Sequence, residues 1–348
     1  MTASVDYLII GQGLAGSLLG WELIQRGCKI QIIDDQQENA SQIAAGLINP
    51  VTGMRLVKNE NIETLLPSAK KYYHALSDFF KTEFYSEKPL LRIVKNDKEL
   101  SKFQQRLQDP SYLDFLNADL QTAPAELVAP HGLIQQKQTG SLSTVPLLNH
   151  LKAFFQAQQC YQATAFDYQE LNLDKSIHWR NIQAKHIIFC EGYQATSNPW
   201  FKYLPFQLAK GEILTLQSET KLIPQMLNYG RWFIPSSEYE FRIGATFENK
   251  LINTLPTQEA KEDLIASLIK IYPSLKSADL KLQQANIRPT TLDKSPFIGA
   301  HPQHNNCHIF NGFGSKGSLQ IPFYSQHFAD HLLNKQPLNK QADISRYA

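Results

Sequence analysis

The stretch Asp6–Gly27, DYLIIGQGLAGSLLGWELIQRG, puts three glycines into the first turn of what otherwise reads as a helix. Each glycine inside a helix costs about 1 kcal/mol relative to alanine, so something must need the space that side chains would fill. Val5–Ile10 is a continuous apolar run with β-branched residues and reads as a buried strand. Leu14, Leu18, Leu19, Leu23 and Ile24 then recur at helical spacing, and Gly27 ends the helix. Lys29–Ile33 is a second strand closed by Asp34. This is a βαβ unit and implies a parallel sheet covered on both faces. Gly11-x-Gly13-x-x-Gly16 is a weak pattern in isolation. Between a strand and a helix, with an acid eighteen residues after Gly16, it is the dinucleotide-binding fingerprint. Gly11 makes the tight turn, Gly13 lets backbone approach a diphosphate, and Gly16 lets helix and strand pack closely. The diphosphate rests on the helix N-terminus, at Gly13, Leu14 and Ala15, where free N–H groups and the helix dipole favour anions. Asp34 accepts from a ribose hydroxyl; Asp35 is the alternative for that task, or a solvent-facing acid.

Composition narrows the classes. A chain of 348 residues holds one large or two medium domains. With 34 basic and 32 acidic residues the net charge is +2, which gives no electrostatic case for nucleic acid bound by this chain alone or for an anionic membrane surface. The four cysteines, Cys28, Cys160, Cys190 and Cys307, form no CxxC and read as reduced thiols. His74, His131 and His150 have no spacing partners, so no metal site is expected. The apolar stretch Tyr7–Ile24 contains Gln12, Glu22 and four glycines, and reads as strand–turn–helix in a cytoplasmic protein rather than as a membrane span.

Further along, Pro67–Phe80 reads as a helix with proline near its first turn, and Leu90–Val94 as a short strand. Ser141–Gln158 is a turn and helix, and His186–Gly192 a buried strand ending in glycine. Gly211–Gln217, Arg231–Ser236 and Glu240–Thr246 alternate like antiparallel strands. Glu259–Ile271 is a helix, Cys307–Gly317 a strand entering a glycine loop, and Gln320–Leu333 a closing helix. The nucleotide fold therefore appears at both ends, with β-rich material between. The expected domains interleave: 1–80, 140–200 and 285–348 bind the cofactor, while 81–139 and 201–284 form the substrate domain.

The fingerprint does not separate FAD from NAD. Two further segments do. Ala40–Pro50, ASQIAAGLINP, is a small-residue segment able to lie flat against a ring system, or else a plain loop into a short helix. Phe310–Leu333 repeats the strand–glycine turn–helix pattern with Lys316 at the helix start. A helix N-terminus plus a lysine suits the negative charge of a reduced flavin; the alternative is a docked helix with Lys316 merely exposed. Together with IIGQGLAG, IIDD, AAGL, STVP, IFCEG, KGEIL, RIGAT, IRPTTLDKSPFIG and GFGSKG, in that order, the chain resembles the D-amino-acid-oxidase-like flavoenzymes. That family includes glycine oxidase, sarcosine oxidase and the flavoprotein half of a bacterial tRNA wobble-uridine modifying enzyme. The segment 58–129 matches nothing in it. The resemblance implies an α/β fold, with a glutathione-reductase-like FAD-binding Rossmann domain interleaved with an antiparallel β-sheet substrate domain. It implies that Gly11, Gly13, Gly16 and Asp34 hold the ADP end, that Ser41, Ala45 and Gly46 approach the flavin, that Phe166 meets adenine through its backbone, and that Gly192 lies near the ADP moiety. Gly314, Ser315, Lys316 and Gly317 face the flavin by the same resemblance. Relatives that bind flavin covalently use a histidine where this chain has Ile43, or a cysteine in the region of Asn286, so FAD is expected to be non-covalent.

In the amino-acid oxidases that this chain resembles, the arginine matching Arg288 holds the substrate carboxylate. A guanidinium is planar, always charged, and grips a carboxylate through two parallel bonds. The alternatives are a structural arginine paired with Asp293, or one bonded to flavin. Tyr229 either helps select polar substrates or packs in the core, Arg242 reads as solvated, and Arg55 is an anion contact or a surface arginine. The reaction class implied is hydride transfer from the carbon of a small amine or amino acid to flavin N5, for which no side-chain base is obligatory, with reoxidation by oxygen or an electron carrier. Competing readings are a flavoenzyme acting on a modified tRNA base or another large amine, a D-2-hydroxy acid dehydrogenase of the same fold, a nicotinamide dehydrogenase, and a non-catalytic flavin-binding subunit.

Overall fold

A computed structural model describes residues 3–53, 55–173 and 176–347. β1 (Ala3–Ile10) lies parallel to β2 (Ile30–Asp34) on one side and to the strand Ile182–Phe189 on the other. Helix α1 (Leu14–Gln25) connects β1 to β2. Tyr161–Ala163 extends the sheet beyond β2, and His304–Asn311 pairs in parallel with the end of Ile182–Phe189. These strands all finish at one edge, where Gly11, Asp34, Gly192 and the Gly312–Gly317 loop follow. Ligands of open parallel sheets bind at that carboxyl edge.

A second sheet runs Asp279–Arg288, Ala209–Gln217, Glu240–Gly244, Trp232–Pro235, Met226–Asn228, Leu90–Ile93, Leu133–Gln136 and Leu116–Gln121. It departs from the all-antiparallel expectation at one join. Met226–Asn228 lies parallel to Leu90–Ile93, where the two separated stretches of chain meet. Helix Gln258–Ile269 covers this sheet through Leu264 and Leu268, against Leu214, Phe233, Phe241 and Ile243.

Two expected boundaries move. Asp279–Arg288 is one continuous strand paired with Ala209–Gln217, so a division at 285 falls inside it. The helix expected from Pro67 begins at Ile62, with Pro67 inside it. Proline there forfeits one backbone bond, and tertiary anchors offset the loss. Tyr72 Oη donates to Leu18 O of α1 at 3.0 Å, and Tyr73 Oη donates to Ser318 O at 2.8 Å. The helix Ile62–Phe80 thus clamps α1 to the closing helix Gly317–Asn334. Among the described residues no helix is long and apolar enough to cross a membrane. All four cysteines are free; Cys160, Cys190 and Cys307 are buried and Cys28 is half-buried.

Candidate active site

The glycine turn after β1 has the geometry its sequence demands. Gly11 has φ +101°, and a Cβ there would fall 2.7 Å from Cys190 O. Gly16 does not face the cavity; a Cβ on it would fall 1.9 Å from Gly11 O, so its role is the close approach of helix to turn. Gly13 differs from both. A Cβ on it would meet Ser41 Oγ at 3.4 Å, an ordinary contact, in space that both residues open onto a cavity. As N-cap of α1, Gly13 offers no side chain to the helix end, and no acid lies in the first turn. Ser41 Oγ accepts from Leu14 N at 3.0 Å, which ties the small-residue segment to this helix start. That segment is itself fixed by a capping box between Asn39 and Gln42 ahead of the short helix Ala40–Ile43.

Asp34 has two tasks. One carboxylate oxygen accepts from Gln12 N at 2.8 Å and holds the glycine turn; the other accepts from Gln36 N at 2.9 Å and Tyr161 Oη at 3.3 Å. Asp35 accepts from Gln37 N at 3.0 Å. Both acids line the cavity. Its volume is about 1550 Å³, above the roughly 300–1,000 Å³ typical of small-molecule sites. Leu14, Ala15, Ala45, Gly46, Phe166 and Gly192 also line it, as do Gly314, Ser315, Lys316, Gly317 and Arg288. Phe166 stacks on Trp179, with ring centroids 5.0 Å apart.

The second glycine turn brings a second helix start to the same cavity. Helix Gly317–Asn334 follows the short turn Gly314–Lys316 and has neither a capping side chain nor an acid in its first turn. Lys316 is half-buried, not merely exposed, and burial together with the nearby Lys294 lowers its pKa. The donor set fits FAD: a bare helix start for the diphosphate, an acid at the end of β2 for ribose, and a second helix start with a lysine for the pyrimidine ring.

Arg288 ends the strand Asp279–Arg288 and lines the cavity. Asp293, the partner one reading gave it, is bonded to Arg346 instead, at 2.8 Å. Arg288 donates only to carbonyls, Thr246 O at 3.3 Å and Lys210 O at 3.4 Å, and has no carboxylate partner among the described residues. Burial lowers its pKa, though a guanidinium stays charged. Gly211, on the neighbouring strand, makes room for it: a Cβ there would fall 2.0 Å from Arg288 Nη2. Nothing in the KGEIL stretch by itself marks Gly211 for this task.

The structure decides two side chains left open between two places and moves a third. Tyr229 is in the core of the second sheet with Phe233 and Phe241, while its neighbours Asn228 and Gly230–Trp232 line the cavity. It lies in the bend just after the strand Met226–Asn228, packed in the core and outside the cavity lining. Arg242, read as solvated, is half-buried and donates to Ile43 O and to Ala44 O at 3.1 Å, tying the second sheet to the small-residue segment. Arg55 is exposed and outside the cavity lining, a surface arginine. Glu191 was not singled out, yet it lines the cavity. It accepts from Tyr168 Oη at 2.6 Å and Asn198 Nδ2 at 2.8 Å. Burial pushes its pKa up to about 7 against those two bonds.

Comparison with known proteins places this geometry. A family model described as FAD dependent oxidoreductase (DAO) matches residues 6–331. A glycine oxidase of Pseudomonas putida is 29% identical over 136 residues, 39% of this chain and 37% of that protein. The tRNA 5-methylaminomethyl-2-thiouridine biosynthesis bifunctional protein MnmC of Marinobacter nauticus is 22% identical over 97% of this chain, which spans 57% of that longer protein. Among solved structures, glycine oxidase from Bacillus cereus superposes with a TM-score of 0.83 at 20% identity, covering 96% of each chain.

Proposed function

The chain belongs to the DAO family of FAD dependent oxidoreductases, and on that premise we propose that it oxidises a C–N bond of a small amino acid or secondary amine whose carboxylate is held by Arg288. The observation that carries the reading is an arginine without an acidic partner, kept clear by Gly211, in one cavity with two bare helix starts.

FAD, when bound, supplies the hydride acceptor. Gly13 and Ala15 would receive its diphosphate, beside Leu14 whose N–H is held by Ser41 Oγ; Asp34 or Asp35 would hold its ribose, and Lys316 its pyrimidine edge. Non-covalent holding is supported by Ile43, which is buried and offers no nucleophile, and by Asn286, whose amide donates to Glu38 O at 2.9 Å. Arg288 orients the substrate through a planar two-point grip, which fixes where its reactive carbon lies. Positioning of this kind, together with a cation near the developing negative charge, supplies much of the acceleration in hydride transfer. Oxygen or an electron carrier would be the terminal acceptor.

An anaerobic panel of glycine, sarcosine, proline, D-amino acids and 2-hydroxy acids tests this through loss of flavin absorbance. Bleaching by amines and not by hydroxy acids supports the proposal. Bleaching by hydroxy acids alone replaces it with the dehydrogenase reading. In Arg288→Lys, KM for a carboxylate-bearing substrate rises while flavin affinity holds; unchanged kinetics would make Arg288 structural.

A further inference from the structure

The three most exposed large apolar side chains in the described part of the molecule lie within nine residues of one another: Phe247 at 68%, Leu251 at 60% and Leu255 at 68%. Scattered apolar residues on a surface need no explanation, but Phe247, alone of the three, is exposed while lining a site, and that does. Phe247, Asn249 and Ile252 line the cavity that holds Arg288. Phe247 directly follows Thr246, whose carbonyl accepts from both Arg288 terminal nitrogens. A ligand with its carboxylate on Arg288 therefore begins one residue away from an exposed aromatic ring.

This segment is not a loosely held loop. It has no helix or strand of its own, yet its backbone is fastened at both ends. Glu248 and Lys210 exchange backbone bonds at 2.7 and 3.0 Å. Lys210 Nζ, buried in the second sheet, donates to Asn253 Oδ1 at 3.0 Å and to Leu255 O, and pairs with Glu212 at 3.1 Å. Glu212 in turn accepts from Thr257 N at 2.8 Å and Thr257 Oγ1 at 2.9 Å. A buried ion pair is weak evidence for stability on its own and is best understood as fixing a geometry. Here it fixes the segment that displays Phe247 beside the carboxylate clamp. Apolar surface held rigidly in the open is preorganised to be covered by a ligand.

We propose that the preferred substrate carries, beyond the carboxylate held by Arg288, an apolar or planar substituent of about ring size that packs on Phe247 and Ile252 at the cavity mouth. This rests on the amine-oxidation reading for Arg288 and narrows it: glycine and sarcosine would be poor substrates because they leave the rim uncovered.

The test uses ligands that cannot be oxidised at nitrogen, so that it does not depend on turnover. Methoxyacetate and benzyloxyacetate share a carboxylate and an ether oxygen in place of the amine, and differ by a phenyl ring. Calorimetric titration of the FAD-loaded protein is expected to show benzyloxyacetate binding at least about tenfold tighter, the scale of burying one aromatic ring. Phe247→Ala should bring that ratio close to one, and Phe247→Tyr should retain most of it. Equal binding of the two acids by the unaltered protein, or a ratio that survives Phe247→Ala, overturns the proposal. Sedimentation of the same variants decides the rival occupant: if Phe247→Ala dissociates a dimer and leaves the ratio unchanged, the rim is an interface between copies and the proposal fails. A parallel anaerobic run with sarcosine and N-benzylglycine separates the two layers. Failure of both to bleach the flavin rejects amine oxidation, whereas stronger bleaching by sarcosine rejects only the rim.

Discussion

Replacing Gly211 with alanine separates the carboxylate clamp from the rest of the fold. The added Cβ would fall 2.0 Å from Arg288 Nη2, 2.4 Å from its Cζ and 2.6 Å from Nη1, and those are its three nearest neighbours. Ordinary contact begins at 3.4 Å, so the guanidinium must retreat by about 1.4 Å. The obstacle is the far end of a flexible side chain, and Gly211 does not have a positive φ. The variant should therefore fold with a melting temperature close to that of the parent. A retreat of that size stretches an ordinary charge-assisted bond beyond hydrogen-bond range. Hydrogen bonds to a charged group contribute about 1.5–3 kcal/mol, so affinity for a carboxylate ligand should fall by about 10- to 100-fold at 1.4 kcal/mol per factor of ten. FAD affinity, carried by the glycine turn and Asp34, should be unchanged. The assay is titration of methoxyacetate or benzyloxyacetate into holoenzyme beside fluorescence titration of FAD into apoprotein. Undiminished carboxylate affinity in a folded variant would refute the placement of Arg288, and loss of folding would refute the argument from its flexible neighbour.

The other glycines and charges give predictions of distinct sign. Gly16→Ala drives a methyl into Gly11 O, a backbone atom, and should lower stability and FAD retention together. Gly13→Ala should keep the melting temperature and weaken FAD alone, as separate thermal and binding measurements would show. Lys316→Met should lower the reduction potential of the bound flavin by tens of millivolts, on the scale of about 30 mV per 1.4 kcal/mol for a two-electron couple; in the parent the same loss should set in on the alkaline side, below the ordinary lysine range, because burial and Lys294 lower the pKa of Lys316. Burial raises the pKa of Glu191 from 4.5 to about 7, so the folded state binds this proton more tightly than the unfolded one. Its contribution to stability is therefore complete below pH 4.5 and lost as pH rises through about 7, and Glu191→Gln should flatten that part of the profile of melting temperature against pH.

The nucleotide half was legible because its chemistry is local. Strand, glycine turn, helix and closing acid follow one another within Val5–Asp34, and each glycine has a steric reason visible in the pattern. The second sheet was legible only where strands alternate strongly. Asp279–Arg288 went unread as a strand because DLKLQQANIR is mostly polar and sits at the sheet edge, where pairing rather than apolar burial defines it. The helix Asp97–Leu107 buries only Glu99 and Phe103, too few positions to set a helical period. Arg242 was misplaced, and Tyr229 left open between pocket and core, for a related reason: alternation says which residues share a face, not which face meets the cavity. Gly211 could have been found only by knowing that Arg288 lies across from it, a contact 77 residues away in sequence.

The most direct measurement is a crystal structure of the FAD-loaded protein with a carboxylate ligand such as benzyloxyacetate. The account predicts a diphosphate over Gly13–Ala15, the flavin pyrimidine beside Lys316, and the carboxylate on Arg288. A carboxylate bound away from Arg288, or a glycine turn closed over without a diphosphate, would contradict it.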